Sequence, residues 1–362
     1  MAKQKHKNKK KKGASSTLDV GAILLKKWWI TALIILVILG GIILLYIFLP
    51  AFQDRSDTGA IIKIPRNATF EMVHDSVSKY YGEKYADNFA LIAKIRGKDF
   101  STRHGAYKIE ENMSPYDSYN LLAKGAQHPI MAVVNGARGI DILGQRFSNR
   151  LDFSPDSLKL ALENDSLLKH YGLKPEEALA LFIDDSYEVY WNVTPQKLIE
   201  KIGSHYKKIW NEERLNKAKS LGLTPPQVIT LASIVDEETN KADEKPQVAR
   251  LYLNRLKTGM KLQADPTVKF ALGDFSLRRI RAEHLKVESP YNTYRVTGLP
   301  PGPIRTVTVK DIDAVLNSPQ HDFVYMCAKE DFSGYHNFAK DYATHMQNAR
   351  KYQKALNRRN IN

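Results

Sequence analysis

The sequence predicts an α+β protein: a single N-terminal transmembrane helix, a small strand–helix subdomain, and a larger mixed α+β domain. Three observations predict it. The run Trp28–Leu49 is uncharged and apolar over a bilayer's thickness. After it come short units of strand, turn and capped helix, at Ala60–Pro65 and Gly105–Ile109 among others. Further on, helices with one apolar face alternate with a long loop-rich stretch. The expected divisions are a basic tail at 1–27, the membrane helix at 28–49, a linker at 50–59, the small subdomain at 60–135 and the larger domain at 136–362.

The chain has 362 residues and a formal charge of +15. Nine lysines against one aspartate in residues 1–50 leave +8 there and +7 for everything else. No basic run with interleaved aromatics stands out beyond residue 50, so nucleic acid is not expected as a partner. The lysine-rich tail, with Lys26 and Lys27, places the N-terminus in the cytoplasm and the rest beyond the membrane. A cleaved signal peptide fits less well, because the apolar run is too long and no small-x-small site follows it. Cys327 is the lone cysteine, expected as a small buried apolar residue in a strand-like run. The ten histidines show no metal-ligand spacing, so neither a metal nor a cofactor is expected.

In order, the first unit is a strand at Ala60–Pro65 and a helix capped by Thr69 that carries Val73 and Val77. The second is the strand Gly105–Ile109, then a helix from Ser114 and Pro115 to Gly125. A weaker third copy is Pro129–Val134 with a helix around Ile140–Leu151. Helices follow around Leu158–Leu162, Pro175–Leu181 and Pro195–Trp210, interrupted by the aromatic stretch Tyr187–Trp191. Pro246–Lys257 is amphipathic and stopped by Gly259. Residues 259–304 read as loops, rich in Gly and Pro. A Thr308-capped helix, a strand at Phe323–Ala328, a Gly334 turn and a helix from about Ala339 to Leu356 complete the chain.

The helix between Thr224 and Asn240 carries the chemistry. Val228, Leu231, Ala232 and Val235 recur at i, i+3, i+4 and i+7, so one face is buried. Of the three acids that follow, Glu237 turns away from that face and Asp236 sits on one edge. Glu238 comes round beneath Leu231 and Val235. Glu238 is therefore the acid placed for partial desolvation and a raised pKa, as a proton donor near neutral pH requires. The alternative is a helix end whose acids pair with nearby lysines.

Four segments together resemble one family: Leu231–Thr239 (LASIVDEET), Asn254–Thr267, Ser289–Ile304 and Tyr335–Phe338 (YHNF). Their order and spacing are similar to those of membrane-anchored endolytic murein (peptidoglycan) transglycosylases, in which the strand–helix units form a LysM-like subdomain. The resemblance makes Glu238 the catalytic acid. Asp236 and Glu237 depart from the family pattern, which often has Glu and Lys there. Asp184 stands where the family often has proline.

The implied reaction is a lytic cut of peptidoglycan glycan strands at the bacterial cytoplasmic membrane, with cell-wall synthases (penicillin-binding proteins) as partners. The implied substrate contacts are Gln263, Asp265, Thr267, Tyr291, Asn292, Thr293, Tyr294 and His336, through amides, hydroxyls and aromatic faces. Two residues keep second readings: Asp265 as a turn or cap before Pro266, and His336 as a satisfied loop histidine. A peptidoglycan hydrolase, or a non-catalytic membrane-anchored scaffold that binds the wall, remain alternatives for the whole.

Overall fold

The computed structural model describes residues 20–48, 60–97, 100, 103–110, 112–163 and 165–359. The 50–59 linker and most of the basic tail lie outside them. Helix α1 (Val20–Phe48) begins before Trp28, so Lys26 and Lys27 belong to the helix rather than to the tail. From Trp28 to Leu45 it is apolar all round with its large side chains exposed, as a membrane span would be. Among the described residues it is the one helix long and apolar enough to cross a membrane.

The rest is mixed α+β and divides into two compact units. The first, residues 1–103 with 107–126, contains β1 (Ala60–Ile64), α2 (Phe70–Tyr81), α3 (Glu83–Ile95), β2 (Gly105–Ile109) and α4 (Pro115–Lys124). Strands β1 and β2 pair, and Ile62, Val77, Phe89, Tyr107 and Leu122 fill the space between sheet and helices. The caps fall where the sequence puts them. Thr69 accepts from the Met72 amide, Ser114 and Asp117 form a reciprocal box, and Gly125 closes α4 with φ 70°. Helix α3 was not anticipated. It follows α2 across Gly82 alone and buries Tyr85, Phe89 and Ile92, so a helical pair, not one helix, separates the two strands.

The second unit, residues 104–106 with 127–362, holds the remaining elements. These begin with β3 (Pro129–Val134), α5 (Ile140–Ser148), α6 (Asp156–Leu162), α7 (Asp165–His170) and a 3₁₀ turn at Pro175–Leu181. Then come β4 (Asp185–Tyr190), α8 (Pro195–Ile209), α9 (Glu212–Ser220), α10 (Pro225–Glu238), α11 (Lys245–Lys257) and α12 (Asp265–Leu272). Helix α13 (Val309–Leu316), β5 (Tyr325–Ala328), β6 (His336–Ala339) and α14 (Tyr342–Arg358) end the chain.

Strand β3 is no third copy of the small unit. It pairs antiparallel with β4, from Pro129 opposite Tyr190 to Val134 opposite Asp185, so packing draws the boundary near residue 127 rather than 136. The aromatic stretch at Tyr187–Trp191 is largely that partner strand. The loop expected over 259–304 contains α12, and β6 pairs with β5 where only a turn was read. Cys327 lies half-buried in β5, and burial pushes its thiol pKa up.

Helix α10 is the spine of this unit. Val228, Leu231, Ala232 and Val235 are each at most 1% exposed, and burying side chains of this size stabilises by roughly 1.5–3 kcal/mol apiece for the larger ones.

Candidate active site

Helix α10 starts from a fixed point. Pro225 and Pro226 open it, and Gln227 folds back to accept the Thr224 amide at 2.9 Å. Midway, the buried Ser233 hydroxyl donates to the Thr230 carbonyl and accepts the Ile304 amide at 3.0 Å. That contact fastens the Pro-rich segment before Ile304 to the helix. Thr239, in extended conformation, ends it directly after Glu238.

The three acids at this end have different fates. Asp236 pairs with Lys245 and, at 3.0 Å, with Arg305. Glu237 pairs with Arg138 at 2.7 Å and Arg305 at 2.9 Å. Among the described residues Glu238 has no salt bridge. Its Oε1 accepts the Tyr252 hydroxyl at 2.7 Å, and no donor among the described residues engages Oε2. Pairing with nearby cations thus describes the first two acids and not the third.

Burial drives the pKa of Glu238 up from 4.5 to about 7. The Tyr252 hydrogen bond opposes that rise, the nearby charge of Asp265 adds to it, and His336 and Arg255 pull it down. Tyr252 is 1% exposed, and burial holds its phenol pKa well above 10.0, so the hydroxyl stays a donor. With Oε1 occupied by that donor, the proton of the neutral acid sits on Oε2.

Two strips of loop form the neighbouring wall, laced together by buried threonines. The Gln263 amide donates to the Thr293 carbonyl at 3.1 Å. Thr293 Oγ1 accepts from the Ala264 amide at 3.0 Å and meets Thr267 Oγ1 at 2.8 Å. Asn292 donates to the Leu285 and Val287 carbonyls at 2.9 and 2.8 Å. Thr267, Asn292 and Thr293 are all at 0% exposure, so they lie beneath the loop surface and shape it from below. Gln263, by contrast, is exposed and held at φ 52°, a left-handed conformation that costs a non-glycine residue on the order of 1 kcal/mol.

Asp265 opens α12 without making an Asx turn, and its Oδ1 accepts the Tyr294 hydroxyl at 2.6 Å. Tyr291 is half-buried against Phe270, with ring centroids 4.7 Å apart. His336, in β6, gives its backbone amide (2.7 Å) and its Nδ1 (2.9 Å) to the buried carboxylate of Glu244. The structure therefore gathers Glu238, Asp265, Tyr294 and His336 around one another, and sets Thr267, Asn292 and Thr293 in support.

Sequence reading missed Tyr252, Glu244, Arg138, Arg305 and the part played by Asp184. Asp184 accepts the Gly136 amide and the Thr306 hydroxyl, and its own amide reaches the Val307 carbonyl. It joins the end of β3, the start of β4 and the segment carrying Arg305. A tyrosine on the buried face of α11 was the one local signal for Tyr252. Among the described residues, no group of three His, Cys, Asp or Glu is disposed to hold a metal ion.

The α+β unit thus holds one carboxyl whose pKa burial raises to about 7, at the end of a buried helix and beside the wall that carries Tyr291 and Tyr294. The YceG-like family profile matches residues 62–351, and the chain belongs to that family. It is 33% identical over 155 residues to the endolytic murein transglycosylase of Bacillus subtilis, covering 43% of this chain and 41% of that protein. It is 23% identical over 297 residues to the endolytic murein transglycosylase of Streptococcus pneumoniae, covering 74% of this chain and 54% of that one. The chain thus spans about half the length of the curated relatives it matches. The crystal structure of a yceG-like protein from Listeria monocytogenes superposes with a TM-score of 0.55 at 21% identity, over 81% of this chain and 99% of that one, which shows the shared fold.

Proposed function

We propose that this chain is an endolytic murein transglycosylase with Glu238 as its one catalytic acid. Glu238 Oε2–H protonates the glycosidic oxygen between N-acetylmuramic acid and N-acetylglucosamine, and the C1–O bond breaks. The C6 hydroxyl of the same muramic sugar closes on C1, and its proton passes to the Glu238 carboxylate. A 1,6-anhydro end results, no water is consumed, and the acid is regenerated. The intramolecular attack gains from effective concentration as long as the sugar is held in place.

The observation that carries this reading is the balance at Glu238. Burial raises it and Tyr252 restrains it, to about 7, where one group can both give and retake a proton. Gln263, Asp265, Tyr291, Tyr294 and His336 are the proposed sugar contacts, with Thr267, Asn292 and Thr293 acting through the loop they hold.

The apolar α1 and its lysines support a single-pass anchor with a cytoplasmic N-terminus and the site outside the cytoplasmic membrane. There it would meet nascent strands as cell-wall synthases release them, and its cuts would end their elongation. The small N-terminal unit is proposed as a LysM-like module.

The full chain in detergent, incubated with glycan strands, should give shorter strands ending in 1,6-anhydromuramic acid, lighter by one water than reducing ends. Reducing ends alone would establish a hydrolase, a reading favoured by one observation: the charge of Asp265 lies close enough to raise Glu238 and could serve as its base. Strands left uncut would leave a wall-binding scaffold.

A further inference from the structure

Glu244 is the N-cap residue of α11, yet its buried carboxylate makes no cap bond to that helix. It is 4% exposed and takes three donors: the His336 amide at Oε1 (2.7 Å), His336 Nδ1 at Oε2 (2.9 Å) and Thr239 Oγ1 at Oε2 (3.0 Å). Thr239 is the residue after Glu238, and its hydroxyl oxygen is itself given the Lys241 amide at 3.1 Å, which frees its own proton for Glu244. The preceding residues repeat the attachment, with Tyr335 OH donating to Asp243 at 3.1 Å. One carboxylate thus ties the end of the catalytic helix to β6.

The consequence falls on His336. A carboxylate can only accept, so Nδ1 must carry a proton, and in the neutral ring Nε2 is left as an acceptor. Nε2 has no partner among the described residues, its ring is half-buried, and its charge, when it carries one, is felt at Glu238.

We propose that Glu244 is a positioning residue that fixes the Nδ1–H form of His336, so that Nε2 accepts a hydrogen bond from a hydroxyl of the sugar beside Glu238. The proposal rests on the transglycosylase reading of the site. Its logic is that of an acid which orients an imidazole without itself exchanging a proton.

The geometry supplies its own test. In Glu244→Gln the amide oxygen must stay where the His336 backbone N–H points. The NH₂ then faces Nδ1 and Thr239 Oγ1, both of which can accept. Each contact of residue 244 is kept, at the cost of the Thr239 hydroxyl proton's acceptor, so the variant should fold, but the imidazole proton is forced to Nε2 and the group offered to the sugar turns from acceptor to donor.

In the full chain in detergent, ¹⁵N spectra of labelled histidine should show His336 protonated at Nδ1 in the wild type and at Nε2 in Glu244→Gln. Strand cutting should fall about 10- to 100-fold with strand binding little changed. In a His336→Ala background the Glu244→Gln change should cost nothing further.

An unchanged tautomer, a flipped tautomer with wild-type turnover, or an equal loss in the His336→Ala background would each overturn the assignment. A wild-type chain that leaves strands uncut, or yields only reducing ends, refutes the underlying reaction instead, and the tautomer measurement still decides the Glu244–His336 geometry.

Discussion

Replacing Glu238 by Gln should abolish cutting and, above neutral pH, make the protein more stable. The fold raises this carboxyl from 4.5 to about 7, which means the native state prefers it protonated. Below pH 4.5 native and unfolded chains both hold the proton, and the residue makes no pH-dependent contribution. Between 4.5 and 7 the native state binds more protons than the unfolded one, so stability falls as pH rises. Above about 7 the full cost is present, about 3 kcal/mol at 1.36 kcal/mol per pKa unit.

Glutamine has the same shape, keeps an oxygen for the Tyr252 hydroxyl and never ionises, so it escapes that cost. For a unit of this size, about 3 kcal/mol corresponds to a midpoint difference on the order of 5–10 °C. Thermal unfolding of the full chain in detergent, wild type against variant, should show no difference near pH 4. The gap should open through pH 5–7 and reach a plateau near pH 8. A difference that is flat with pH, or one favouring the wild type at pH 8, would refute the desolvation argument, and with it the reason for choosing Glu238.

Three other changes test the surroundings, read by product analysis across a pH series. Tyr252→Phe removes the donor that holds the Glu238 pKa down, so the high-pH limb of activity should move to higher pH while the maximum rate drops about tenfold from lost orientation. Asp265→Asn removes a like charge, so the same limb should move to lower pH, and an undisplaced limb would show that Asp265 does not act on Glu238. Glu237→Gln should keep most activity but lower stability by about 1–3 kcal/mol, because Arg138 and Arg305 lose their shared carboxylate.

What could be read from the sequence was what neighbours in sequence decide. Thr69, Ser114, Thr224 and Thr308 all cap the helices expected of them, because a cap is a contract between residues three apart. The apolar face of α10 and the place of Glu238 on it follow from helical period alone. Helix α12 was hidden because Asp265-Pro266 reads equally as a turn and as a helix start with proline in the first turn. Strand β3 lies where the sequence puts it, but it was grouped with the small units because its partner β4 lies far along the chain, and pairing at that separation leaves no mark on local pattern. The site suffers the same limit. The upward pKa of Glu238 could be read from its place on the helix, but the groups that adjust what burial does, Tyr252, Asp265 and His336, come from α11, α12 and β6, and only the fold makes them neighbours.

Placing the acid at the end of α10 explains why its neighbours are what they are. A helix C-terminus carries partial negative charge, so three successive carboxyls there oppose both the helix dipole and one another. Two of them are relieved by cations brought from elsewhere, Lys245 and Arg305 for Asp236, Arg138 and Arg305 for Glu237. A third cation at Glu238 would have completed the pattern and ruled out the proposed role, since an ion-paired carboxylate is held far too acidic to be protonated near neutral pH. Arg255 is near enough to act, but its guanidinium donates to the Val324 and Leu262 carbonyls at 2.6 Å each, and among the described residues Glu238 is left with a neutral phenol as its donor. The remaining way to relieve the third charge is to keep it protonated, and that is the form a proton donor needs.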